Sequence, residues 1–103
     1  MKFISMLIAL TPDAEKEKHH AKIDTGMYEL HIHLVKNQEE ALEVAKDKAE
    51  NEGVQSIMLC PGFTHENVAE IFDALDDVAV TVARGDGPSG RIAKDAMEKA
   101  GWF

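Results

Sequence analysis

The stretch Gly53-Val54-Gln55-Ser56-Ile57-Met58-Leu59-Cys60-Pro61-Gly62-Phe63-Thr64-His65-Glu66-Asn67-Val68 decides the fold. Val54 to Cys60 reads as a short strand with Ile57 and Leu59 inward, and Pro61-Gly62-Phe63 reads as a turn. Thr64 then caps a helix whose Val68, Ile71, Phe72 and Leu75 hold the i, i+3, i+4, i+7 positions of one apolar face. A strand that feeds directly into an amphipathic helix is half of a parallel βαβ unit.

Working outward, the same grammar repeats. Downstream, Asp76 and Asp77 close the helix, and Val78 to Ala83 is a nearly unbroken run of Val, Ala and Thr. That run is expected to be a central strand covered on both faces. Gly85 to Gly90 turns the chain into a last helix with the stripe Ile92, Ala93, Ala96, Met97 and Ala100, ended by Gly101 ahead of Trp102-Phe103. Upstream, Asn37 and Glu40 have capping-box spacing, and Leu42, Ala45 and Ala49 recur at helical intervals until Gly53. Met27 to Val35 is a strand with Tyr28, Leu30, Ile32 and Leu34 on one clearly apolar face and Glu29, His31 and His33 on the other. Pro12 to Thr25 is polar without an apolar stripe, and the expectation there is a loop, mobile or partly helical. Phe3 to Leu10 is a buried first strand. Met1-Lys2 ahead of it gives the pattern of a signal peptide as the alternative, but the run is short for a secretory h-region, no small-x-small cleavage site follows cleanly, and Thr11-Pro12-Asp13 reads as a strand stop. The order is ββαβαβα: an α/β fold with a small, open, mainly parallel sheet of about four strands and three helices, a single domain over residues 1–103.

Composition bounds the function. The chain of 103 residues carries 11 Lys plus Arg against 19 Asp plus Glu, a formal net charge of -8. Such a surface repels phosphate backbones and anionic membranes, so neither nucleic acid nor membrane is an expected partner. One cysteine makes no internal disulfide, which fits a reducing, cytoplasmic setting.

Chemistry is expected where loops leave the carboxyl ends of the strands and helix N-termini turn bare N–H groups outward. Arg84-Gly85-Asp86-Gly87-Pro88-Ser89-Gly90-Arg91 matches G-x-G-x-x-G, yet only thirteen residues follow Gly90 and no acidic ribose partner lies about 20 positions on. No dinucleotide or other cofactor is expected. A smaller anion fits better: Ser89, the loop amides of Gly85, Gly87 and Gly90, and the chain's two arginines, Arg84 and Arg91, surround one spot. The other loop brings Cys60, Gly62, Thr64 and His65. Cys60 and His65 are the candidates for a reactive thiol and its base, although Glu66 stands where a phosphatase-like loop needs arginine. Glu29, His31 and His33 share a strand face and are the candidates for a divalent-metal site, the alternative being a polar face near an edge. His19 and His20, with Lys16, Lys18 and Lys22, are either solvated or a lid over an anionic ligand. Trp102 and Phe103 favour a homo-oligomer, most simply a two-fold dimer. The leading reading is therefore a binder of a small anionic metabolite through the 60–65 and 84–91 loops, with a structural or regulatory homo-oligomer as the alternative.

The first strand, Tyr28-Glu29-Leu30-His31, the Gly53 to Ile57 lead-in and Leu59-Cys60-Pro61-Gly62-Phe63 together resemble a family of roughly hundred-residue prokaryotic proteins classed as a domain of unknown function. Its most specific element is a Leu-Cys-x-Gly-Phe loop. Pro61 stands where members more often carry glycine, and the last loop here is richer in glycine. The resemblance implies the fold and carries no activity, cofactor or catalytic residue with it.

Overall fold

A computed structural model describes residues 1–103. Its elements are β1 (Phe3–Leu10), β2 (His20–Asp24), β3 (Tyr28–Val35), α1 (Gln38–Asn51), β4 (Ser56–Leu59), α2 (His65–Ala74), β5 (Ala79–Val82) and α3 (Gly87–Lys99). The α/β class and the three helices agree with the sequence reading, and the five strands form one sheet in the order β2-β3-β1-β4-β5. β1 is central and parallel to both β3 and β4, β5 is parallel to β4, and β2 runs antiparallel to β3.

The fifth strand corrects the expected loop. Within Pro12 to Thr25, His20–Asp24 pairs with Glu29 to His33 through a tight return in which Gly26 takes φ +100 and donates its N–H to Asp24. An edge strand exposed along its whole length needs no apolar face, so it leaves no hydrophobic signature to read. Ala14, fully buried, anchors the segment before it.

The crossovers β3-α1-β4 and β4-α2-β5 proceed in one direction across the sheet, and right-handed connections then put both helices on the same face. That face holds the core: Met6 and Ile8 of β1, Val35, Ile57 and Leu59 meet Ala41, Val44 and Ala45 of α1 and Ile71 of α2, with Phe63 sealing the end of the cluster. Asn37 accepts the N–H of Glu40 to start α1, and the Thr64–Asn67 capping box starts α2. The chain leaves α1 through Gly53 at φ +70, where the Val54 N–H bonds back to the Lys48 carbonyl.

Two expectations reverse here. β5 is an edge strand rather than one covered on both faces: Val80 and Val82 are half-buried, while Ala79 and Thr81 point to the uncovered side. Small side chains on that side made alternating Val look like a continuous apolar run. In β3 the polar set Glu29, His31 and His33 turns toward the helices and is buried, whereas Tyr28, Leu30, Ile32 and Leu34 lie on the bare face. Register dictates this, because Ile4, Met6, Ile8 and Leu10 of β1 align with Glu29, His31, His33 and Val35. A one-residue slip would put every side chain on the wrong side. α3 forms as expected, with Asp86 capping the Ser89 N–H and Gly101 at φ +86 closing it, but none of its residues is buried.

Candidate functional site

β4 and β5 lie side by side and parallel, so the 60–65 and 84–91 loops leave the same rim. Arg84 joins them: its guanidinium donates to the Pro61 carbonyl at 3.1 Å and to His65 Nδ1 at 3.4 Å. No ion pair in the protein involves either Arg84 or Arg91, despite 19 carboxylates in the chain. The helix N-termini at this rim are occupied by the protein's own oxygens, Thr64 at α2 and Asp86 at α3. Gly87 and Gly90 lie within α3 rather than in a loop, and a Cβ at Gly85, Gly87 or Gly90 would meet nothing. What remains at the rim for an anion is chiefly guanidinium rather than a cradle of amides. Gly62 is the glycine here with a packing reason, since a Cβ would come within 3.1 Å of Leu10 Cδ1. Cys60 is half-buried, its Sγ accepts the Leu10 N–H at 3.4 Å, and no hydrogen bond joins it to His65.

The buried polar row of β3 makes a second constellation. Glu29 accepts from His31 Nε2 at 2.9 Å and faces Lys2 at 3.6 Å. The His31 hydrogen bond, aided by Lys22 and Lys2, holds the Glu29 carboxyl below the usual range. His33 is 5% exposed, its ring stacks on His20 with centroids 5.4 Å apart, and its Nδ1 is buried without a hydrogen-bond partner. Burial first, and then the charges of Lys48 and His20, push the His33 pKa down to about 4. Nowhere do three His, Cys, Asp or Glu side chains gather closely enough to hold an ion. Glu29, His31 and His33 do not converge, since Glu29 and His31 bond each other and His33 stacks on His20.

His33 opens into a cavity of about 490 Å³ between the edge of the sheet and α1, lined by Lys16, Glu17, His20, Glu43, Val44, Asp47 and Lys48. Lys16 reaches across to pair with Glu43 of α1, so the segment before β2 is tied over the cavity. Lys48 pairs with Asp47 at 3.3 Å. Of the expected lid residues, Lys16 and His20 reach this cavity; Lys18 pairs with Glu15, His19 Nδ1 accepts the Glu15 N–H, and Lys22 lies opposite His31 in the strand register. The α1 contributors Glu43, Asp47 and Lys48 escaped sequence reasoning. Their only signal was a charged flank beside the Leu42, Ala45, Ala49 stripe, and most helices have one.

Residues 1–98 match a family of unknown function (DUF6506). The chain belongs to this family. No curated protein matches the chain, and no solved structure does. The DUF6506 match spans every strand and ends inside α3, so the rim and the His33 cavity both fall within it. No helix is long and apolar enough to cross a membrane.

Proposed function

We propose that the protein binds a small metabolite bearing an anionic group in the cavity beside His33. The observation that carries this reading is a nearly fully buried histidine, its ring pKa lowered by burial, at the wall of an open space that Lys16 and Lys48 also line. Lys16 and Lys48 are the groups at this cavity that would meet a carboxylate or phosphate, in competition with Glu17, Glu43 and Asp47, which line it too. Thermal shift against a panel of small carboxylates and phosphates tests the reading. At least one should raise the melting temperature, and His33→Gln should abolish the gain. A panel without effect, or a gain unchanged in the variant, overturns it.

A second reading places the anion at the rim, on the 60–65 and 84–91 loops, and the unpaired state of Arg84 and Arg91 favours it. The same panel separates the two: a rim site loses its shift in the Arg84→Ala, Arg91→Ala double variant and keeps it in His33→Gln.

A further inference from the structure

The winding leaves one whole face of the sheet bare. It carries Phe3, Leu7, Tyr28, Leu30, Ile32 and Met58, of which Phe3 and Met58 are each 50% exposed, and it contains a largely apolar cavity of about 320 Å³. No charged side chain lies among those lining that cavity, in a chain with net charge -8. The more apolar side of β3 is the side left uncovered, the reverse of what a lone domain in water selects.

The same chain holds a helix with the complementary defect. α3 has a cap at each end and a coherent stripe of Ile92, Ala93, Ala96, Met97 and Ala100, yet Ile92 is 72% exposed and no residue of the helix is buried. At 13 residues it is about the length at which an isolated helix is only marginally stable in water. Trp102 and Phe103 continue the same exposed apolar surface.

We infer that two copies of this chain pair by exchange, α3 and the Trp102-Phe103 segment of each lying across the bare sheet face of the other. Both halves of the contact are present in every copy, so a two-fold axis satisfies both at once. A helix about 20 Å long and about 10 Å across covers roughly 200 Å² of the face, so each copy contributes roughly 200 Å² of sheet and roughly 200 Å² of helix. Trp102 and Phe103 add to this and bring the contact to roughly 600 Å² per partner, the lower end of what specific complexes bury. The sheet half of the contact is uncharged, so two strongly acidic molecules can meet there without setting like charges face to face. The pairing is independent of the His33 cavity, which lies on the helix-covered side of the sheet, whereas the rim reading shares α3 with it because Arg91 is on that helix.

Sedimentation equilibrium of the full chain, with Met58→Asp and Ile92→Asp variants, tests this. Both positions are exposed in the single chain, so circular dichroism should show each variant folded. The wild type should be a dimer at micromolar concentration, and each substitution should weaken its Kd by at least about tenfold. A single buried Asp should abolish its contact outright, so the doubly substituted contact of a mixed pair loses nothing more, and mixing the two variants should give a dimer tighter than either forms with itself, through the one intact helix-on-sheet contact. A wild type that stays monomeric at every concentration overturns the proposal, whether α3 folds onto its own sheet or a different protein covers the face. A dimer indifferent to both substitutions, or variants that fail to complement, overturns the exchange.

Discussion

His33 shows how much one side chain can decide. Its folded pKa of about 4 lies below the 6.5 of an unperturbed histidine. Between those values the unfolded chain holds the extra proton, so stability rises with pH across this window and is lost as pH falls through it. Such a depression corresponds to at most about 3 kcal/mol, and water at the cavity mouth reduces this to about 2 kcal/mol. Urea unfolding at pH 4.5 and pH 7 should therefore show His33→Gln losing less stability on acidification than the wild type, by about that amount. An equal loss in both would mean that other groups set the acid limit. An anion bound beside the ring should raise its pKa, visible as an upward move of the His33 midpoint in an NMR titration. Gly53 makes a separate claim. At φ +70, and with Ile4 Cδ1 a comfortable 3.8 Å from where a Cβ would stand, Gly53→Ala meets backbone strain rather than a clash and should cost about 1 kcal/mol in denaturant unfolding.

At the scale of elements, legibility followed hydrophobic period. β1, β4, α1 and α2 stood out because each buries one regular stripe, and their caps at Asn37 and Thr64 were visible as residue types. β2 was hidden because an exposed edge strand has no stripe, and β5 was misplaced because Ala79 and Thr81 are too small to mark a bare side. The facing of β3 was beyond local reading: both of its sides form a proper alternation, and only its register with β1 chooses between them. The site was legible in part. The shared rim followed from parallel strands, whereas the cavity depends on Lys16 and Glu43 meeting across 27 positions of chain. The exchange also assigns a behaviour to α3. Its amides should exchange with solvent slowly at dimer-forming concentrations and quickly on dilution, and concentration-independent protection would contradict the intermolecular contact.

For the whole molecule, the layer count follows from winding direction. Because both helical crossovers advance the same way, the sheet has a helix-covered side carrying the core and the polar row of β3, and a bare side carrying apolar residues. The two sides accordingly have separate tasks: the covered one offers the His33 cavity, and the bare one asks for company. A variant that loses ligand binding is therefore expected to keep its assembly state, and a monomeric variant to keep its cavity.

The central position of β1 has a consequence for biogenesis. It is synthesised before both of its neighbours, and its pairing with β4 joins Ser5 to Ser56. β3 can satisfy one edge of this aliphatic segment once residue 35 has emerged, but the other edge waits some fifty residues for β4. Chaperone dependence and inclusion-body formation in this protein should therefore respond to polar changes on β1 more sharply than its equilibrium stability would indicate.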